Sequence, residues 1–477
     1  MTFVRMPLTK HKTGKVYMKV VICGAGQVGY NIAAYLSREN NDITVIDPEP
    51  QRIARINDNL EANGIVGFPS HPDRLKEAGI ADADMIIAVT DVDEINMVAC
   101  QVAHSLFGVP KKIARIQTTN YLDPSWSNLF ARAHMPIDVI ISPEEEVAEA
   151  ILRRVKVPGT SDVISLIDGQ LLLVGVHCEE NCPVVNTPLK QLRTLFPDVQ
   201  AQIMAIIRGD ERIIVNKDNQ MLVGDEVYFI VHADQLYRAL AIFGHEEPKA
   251  RHIVILGGGN IGTALANRMQ EELMGANIKI IEIEQERAEL ISERLKDVMI
   301  LRGDGLSKEI LKEANIDNAE AFIAVSNDDE NNILASLLAK QYGAQRTMAL
   351  INKAVYTNLT GYLGIDAVIS PRSITVSRML RHIRRGKIKG VYNIYDGFAE
   401  VVEAEVASSS IICDKAIRDL DLPMTVRVSG IWREDELFTP YADFYIREGD
   451  RVILISCQEQ AKRVEELFSN NINIIDL

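Results

Sequence analysis

Lys19-Val20-Val21-Ile22-Cys23-Gly24-Ala25-Gly26-Gln27-Val28-Gly29 runs an apolar strand into a Gly-x-Gly-x-x-Gly turn that opens a helix. The glycines permit a tight turn and let backbone N–H groups approach a diphosphate at the positive end of the helix dipole. Outward from it, strands are predicted over Lys19–Cys23, Ile43–Asp47, Met85–Thr90, Lys112–Arg115 and Asp138–Ile141, with helical segments such as Gln27–Arg38 and Asp93–Phe107 between them. Strand and helix in alternation imply a parallel, doubly wound sheet.

The pattern occurs twice. Ile137-Asp138-Val139-Ile140-Ile141-Ser142-Pro143 returns as Ile365-Asp366-Ala367-Val368-Ile369-Ser370-Pro371. Ala88-Val89-Thr90 with Asp93-Glu94-Ile95-Asn96 returns as Ala324-Val325-Ser326 with Asp329-Glu330-Asn331-Asn332, and Gly224-Asp225 as Gly449-Asp450. Order is kept throughout, so the chain reads as a duplication joined near Glu246-Glu247-Pro248-Lys249. After Pro143 and Pro371 a helix leads to a smaller region of period two, where Val402, Ala404 and Val406 alternate with Glu403 and Glu405 behind the Asp396-Gly397 turn, which repeats Asp168-Gly169. The expected fold is α/β: two tandem copies of a Rossmann-like doubly wound parallel sheet plus a small α+β domain. Its predicted divisions are a disordered extension (1–17), sheet domains at 18–142 and 246–370, and linker helix with small domain at 143–245 and 371–477.

Bulk properties exclude some functions. The 477 residues are too many for one core, and a net charge of −15 disfavours a nucleic-acid partner, since phosphates need a surplus of Lys and Arg. No run of 18 or more apolar residues is present to span a bilayer. Cys23, Cys100, Cys178, Cys182, Cys413 and Cys457 are scattered without a metal-ligand spacing and read as thiols in a reducing compartment.

In the first copy the candidate binding residues are Gly24, Ala25, Gly26, Gln27, Val28 and Gly29, with Asp47 ending the next strand and placed for ribose hydroxyls. The second copy repeats them as Gly257, Gly258, Gly259, Asn260, Ile261 and Gly262, with Glu282 as the acid. Neither acid is followed by Arg, which favours NAD(H) over its 2′-phosphorylated form. ATP and ADP carry the same adenosine diol and stay open. Thr90 and Asp91 stand at the tip of the fourth strand, either as ligand contacts or as a helix cap. Arg115, at the end of the fifth strand, is in reach of a phosphate, whereas its counterpart is Leu350. Asp304 gives the second copy an extra acid where the first has Phe68.

A dehydrogenase would need an acid–base group aimed at a nicotinamide, yet none of the nine histidines recurs at an equivalent position, so a binding module is favoured over an enzyme. Gly24–Gly29, Ser70-His71-Pro72-Asp73, Ala78-Gly79-Ile80-Ala81-Asp82-Ala83-Asp84, Asp93-Glu94-Ile95-Asn96 and Gly257–Gly262 resemble the TrkA family, the peripheral subunits of bacterial potassium uptake. The resemblance spans nearly everything from Met18 onward. It implies RCK-type lobes in each half and a nucleotide-sensing regulatory subunit that is not an enzyme. It also implies NAD(H) and ATP or ADP as ligands and assembly as a homotetramer. The chain would then lie at the cytoplasmic face of the plasma membrane, docked on a potassium-translocating membrane subunit of the TrkH or TrkG kind. The ligand set carried over is Gly24 through Val28, Asp47, Thr90, Asp91 and Arg115, then Gly257 through Ile261 and Glu282. Rival readings are the regulatory subunit of a cation/proton antiporter, a stand-alone nucleotide-binding scaffold and an NAD-dependent oxidoreductase.

Arg372, Arg378, Arg381, Arg384, Arg385, Lys387 and Lys389 form an acid-free stretch whose counterpart carries Glu144, Glu145, Glu146 and Glu149. It reads either as a solvated helix face or as a cationic surface for lipid, partner or phosphate, or the two stretches attract each other across an oligomer interface.

Overall fold

The computed structural model describes residues 18–38, 41–209, 211–216, 218–353, 355–356, 363–383, 387–394, 399–423, 425–457 and 460–468. The readings above for residues 1–17, the Asp396-Gly397 turn, Arg384 and Arg385 lie outside the described residues, as does the side chain of Arg381. The chain divides into two compact units between Ile140 and Ile141.

The first unit runs β1 (Lys19–Cys23), α1 (Gln27–Arg38), β2 (Asp42–Asp47), α2 (Pro50–Asn59), β3 (Asn63–Val66), α3 (Pro72–Glu77), β4 (Met85–Ala88), α4 (Asp93–Phe107), β5 (Lys111–Arg115) and β6 (Val139–Ile141). Its sheet order is β3-β2-β1-β4-β5-β6. Val20, Val21, Ile22 and Cys23 have no exposure, as a central parallel strand covered on both faces requires. The order reverses between β2 and β4 around β1, the switch point at which such sheets open a crevice beyond their carboxyl ends.

The second unit opens with α5 (Pro143–Lys156), then β7 (Asp162–Leu166), β8 (Leu171–His177), α6 (Leu189–Leu195), β9 (Ala201–Arg208), β10 (Glu211–Ile214), β11 (Glu226–His232) and α7 (Leu236–Ile242). A second doubly wound sheet follows: β12 (His252–Leu256), α8 (Asn260–Glu272), β13 (Asn277–Glu282), α9 (Gln285–Arg294), β14 (Met299–Arg302), α10 (Lys308–Glu313), β15 (Ala321–Ala324), α11 (Asp329–Gln341), β16 (Thr347–Leu350) and β17 (Ala367–Ile369). Last come α12 (Pro371–Ile383), β18 (Ile388–Ile394), β19 (Ala399–Glu405), β20 (Val426–Arg433), β21 (Glu436–Phe438), β22 (Arg451–Cys457) and α13 (Ala461–Phe468). The parallel sheet has the order β14-β13-β12-β15-β16-β17, and the two antiparallel sheets, β7-β8-β11-β9-β10 and β18-β19-β22-β20-β21, share one topology. The fold is thus α/β, with two Rossmann-like sheets and two small antiparallel ones. Among the described residues no helix is long and apolar enough to cross a membrane.

Helix α5 is set by its sequence. Pro143 occupies the first turn with Glu144, Glu145 and Glu146, while Arg153, Arg154 and Lys156 lie in the last, so both ends complement the helix dipole. Its apolar stripe, Val147, Ala148, Ile151, Leu152 and Val155, is buried in one core with Leu265 and Met269 of α8 and Ile253, Ile280 and Ile323 of the second sheet. A helix that precedes the first small domain therefore covers the second Rossmann sheet.

The two small sheets pack face to face. Leu173, Tyr228 and Ile230 share a core with Val401, Trp432 and Ile453. This corrects the expected alternation in β19: Glu403 is only 2% exposed, because its face meets the other sheet. Its carboxylate accepts from the Ile167 N–H at 3.1 Å and pairs with Arg451, which also reaches Asp168 at 2.5 Å.

One ion pair joins the acidic and basic stretches within this chain. Arg378 pairs with Glu146 at 2.9 Å, and Glu145 pairs with Arg268 of α8 at 2.9 Å. Lys387 and Lys389 both pair with Glu405, at 3.2 and 2.9 Å. Arg378, Lys387 and Lys389 of the basic run are thus each paired with an acid of the same chain.

All six cysteines are free, four of them buried, and burial pushes the Cys100 thiol up to about 12. Among the described residues no group of three or more ligating side chains is placed to hold a metal.

The repeated Gly-Asp pairs mark a buried carboxylate clasped by a partly exposed arginine in each small domain. Arg208 grips Asp225 with Nε and Nη2 at 2.9 and 2.8 Å, and Arg433 grips Asp450 at 2.7 and 2.7 Å. Asp450 is 1% exposed, so removing it strands a guanidinium and the Arg447 N–H it accepts from. Asp450→Ala should cost about 3 kcal/mol, read as a lower urea midpoint of Trp432 fluorescence in a Trp126→Phe background. An unmoved midpoint would refute that role.

Candidate nucleotide site

At the carboxyl edge of the first sheet, Gly24 turns the chain with φ +106°, its N–H donating to Ile46 at 2.8 Å. A side chain on Gly29 would overlap the Gly24 carbonyl, so α1 starts directly against the turn. The first-turn amides of α1 then project beyond the strand ends, as a helix N-terminus must leave them. Gln27 is exposed at that tip, as is Asn260 in the second copy. Gly257 repeats the turn with φ +105°, and Gly262 repeats the close contact.

The acids have a task that the motif alone did not reveal. Asp47, 3% exposed, accepts from Ala25 N–H at 2.7 Å and from Glu49 N–H at 2.9 Å. Glu282, 6% exposed, does the same with Gly258 at 2.7 Å and Glu284 at 2.8 Å. Each carboxylate pins its glycine turn to the second strand, with one oxygen accepting from the turn and the other from the amide two residues beyond the acid.

Thr90, Asp91 and Arg115 come together at the tips of β4 and β5, where Arg115 Nη1 pairs with Asp91 at 3.2 Å. The capping alternative is corrected. The residue preceding α4 is Val92, with no side-chain cap, whereas in the second copy Asp328 caps α11 by accepting from Asn331 N–H at 2.8 Å. Thr90 instead donates its hydroxyl to Asn96 at 2.8 Å. Asp304 is exposed on the turn after β14, where it accepts from Leu306 N–H at 2.9 Å.

The repeated Asp-x-x-Asn supplies residues that a motif search passes over. Asn96 has no exposure and uses its full hydrogen-bonding capacity: Oδ1 accepts from Thr90 N–H (2.9 Å) and hydroxyl (2.8 Å), while Nδ2 donates to the carbonyls of Thr90 and Arg115, both at 3.0 Å. Asn332 repeats this on Ser326 and Leu350 at 2.7–2.9 Å. Asp93 accepts from the Gln117 and Thr118 amides, and Asp329 from those of Asn352 and Lys353. Tyr121 donates to Glu94 at 2.9 Å and Tyr356 to Glu330 at 2.6 Å, where Lys353 and Tyr356 hold the Glu330 carboxyl down at about 2. These ties fix both strand tips beside the glycine turn. The signal was the repeat itself, read for its period but not for its chemistry.

The TrkA-N domain matches residues 20–143 and 253–371, and the TrkA-C domain matches 173–244 and 401–469. The Trk system potassium uptake protein TrkA of Azorhizobium caulinodans is 49% identical over 94% of this chain and 98% of its own. The chain belongs to the TrkA family. A second relative of the same name, from Halomonas elongata, is 40% identical over the same shares of the two chains. Among solved structures, the GsuK RCK domain aligns with a TM-score of 0.59 over 98% of each chain at 19% identity. The GsuK channel bound to NAD aligns equally well over 96% of this chain and 80% of its own. At that identity the likeness concerns the fold alone, and it agrees with tandem Rossmann and small antiparallel sheets.

Asn332→Ala should cost about 2–4 kcal/mol by stranding the Ser326 amide and the Leu350 carbonyl. Hydrogen exchange should accelerate across residues 324–328 and 350–353 and stay unchanged across 88–92 and 115–118. Equal protection in wild type and variant would show that the asparagine is not the tie.

Proposed function

We propose that the chain is a nucleotide-sensing regulatory subunit that controls potassium uptake through a membrane partner of the TrkH or TrkG kind. The observation that carries this is the glycine turn pinned by a buried carboxylate, built twice in a chain whose relatives are named Trk system potassium uptake proteins. The ligands on this reading are NAD(H), with ATP or ADP as competitors for the same adenosine diol. Gly24 through Val28, Asp47, Thr90, Asp91 and Arg115 line one site; Gly257 through Ile261, Glu282 and Asp304 line the other. The domains are taken as 18–142, 143–245, 246–370 and 371–477, the assembly as a homotetramer, and its place as the cytoplasmic face of the membrane.

Catalysis is not assigned. The groups gathered at both strand tips include backbone amides, buried carboxylates that accept from the turn, hydroxyls bound to buried asparagines, and the charged Asp91, Arg115 and Asp304. Such a set is suited to binding and orienting a ligand.

The second unit supplies a route from ligand to assembly. The glycine turn opens α8, α8 packs on α5, and α5 is tied to α12 through Glu146 and Arg378. A nucleotide that binds one arrangement of these helices more tightly than another shifts the population toward it; equal affinity would shift nothing.

Calorimetric titration with NADH, NAD, ATP and ADP tests the reading. Asp47→Asn and Glu282→Gln, which keep an acceptor for the turn, should each weaken one site by at least about tenfold and leave the other intact. Indifference of the wild type to all four nucleotides would overturn the proposal, and co-purification with an antiporter in place of a potassium translocator would reassign the partner.

A further inference from the structure

Each glycine turn has an arginine standing over it that the motif does not contain. A β-carbon built on Gly26 would meet one side chain within 4 Å, the Arg52 guanidinium at 3.8 Å. One built on Gly259 would meet only Arg287, at 3.5 Å. The middle glycine of this turn is the position whose bare backbone lets a diphosphate come close. In both copies, then, a guanidinium borders the space into which those phosphates enter.

The two arginines hold the same place, five residues beyond the strand-ending acid, although the intervening Pro48-Glu49-Pro50-Gln51 and Ile283-Glu284-Gln285-Glu286 differ. Both reach the turn from the first turns of α2 and α9. Arg52 Nη1 lies 3.7 Å from the buried Asp47 carboxylate, offsetting a negative charge that would repel a diphosphate. Both are about two-fifths exposed, and each pairs through Nε with an acid three residues earlier: Arg52 with Glu49 at 2.8 Å, Arg287 with Glu284 at 3.3 Å. Exposed pairs of this kind are weak, so the guanidinium is readily exchanged to a stronger anion. A planar fork of N–H donors suits bidentate contact with phosphate oxygens.

We propose that Arg52 and Arg287 grip the diphosphate in the two sites, and that Glu49 and Glu284 are the competing partners a diphosphate displaces. A grip on a ribose 2′-phosphate fits less well, because the diol position is held by Asp47 and Glu282, whose charge would oppose it. The copies differ in dependence. The first has Arg115 nearby as a second cation, whereas Leu350 takes that place in the second. Arg287 therefore carries more of its site than Arg52 does.

This inference rests on the nucleotide-binding reading above, and its test separates the two. The full chain and its Arg52→Gln, Arg287→Gln, Glu49→Gln and Glu284→Gln variants are titrated with NADH, ADP, NADPH and adenosine. Unchanged urea midpoints should confirm that the exposed substitutions leave the fold intact. Arg287→Gln should weaken NADH and ADP at the second site about tenfold to a hundredfold, and Arg52→Gln should weaken the first site less. Adenosine, lacking phosphates, should bind each arginine variant as it binds wild type. Both Glu→Gln variants should bind the diphosphates more tightly. Wild-type affinity for NADH and ADP in both arginine variants would overturn this inference and leave the functional reading standing. NADPH binding more tightly than NADH, with the preference lost in the arginine variants, would replace the diphosphate grip by a ribose-phosphate one. A wild-type chain that binds none of them overturns both.

Discussion

A carbonyl packed against a bare α-carbon governs this chain. Because Gly24 closes on Gly29, and Gly257 on Gly262, the first helix of each Rossmann sheet begins within a turn of the central strand. That forces the helix N-terminus to the carboxyl edge, at the point where strand order reverses. The buried acid at the end of the second strand and the buried asparagine of the fourth helix then fasten the surrounding tips. Preorganisation of this kind keeps amide hydrogens aimed outward without the entropy of ordering a loop when a ligand arrives.

The second unit shows how a duplicated module becomes more than two copies of one thing. Helix α5 follows the first sheet in sequence, yet its apolar stripe completes the core of the second. The acids on its polar face meet Arg268 on α8 and Arg378 on α12. The two small sheets close on each other and bury Glu403, which pairs with the partly exposed Arg451. The start of α8 is thus connected to elements from both halves of the sequence by packed side chains and ion pairs with defined partners.

Divergence between the copies is concentrated at the strand tips. Arg115 and Asp91 form a pair in one copy, while Leu350 and the exposed Asp304 take part in the other. The braces beneath, Asp93 with Asn96 and Asp329 with Asn332, are the same in geometry to within a few tenths of an ångström. Scaffold and lining have separated: the ties that hold the crevice open are fixed, and the charges that face it have changed.

The sequence alone determined the duplication, both parallel sheets, the glycine turns and their acids, since these depend on local spacing and on the period of apolar residues. The same local logic placed Gln27–Arg38 and Asp93–Phe107 as helices with the ends later observed. Tertiary structure alone decided which charges meet. Arg378 found Glu146 within its own chain, Glu403 turned into an interface despite its alternating pattern, and Arg52 and Arg287 came to stand over the turns. The reason is physical. Periodicity reports which face of an element is apolar, whereas the partner of a long charged side chain is set by how distant elements pack, which no short window of sequence encodes.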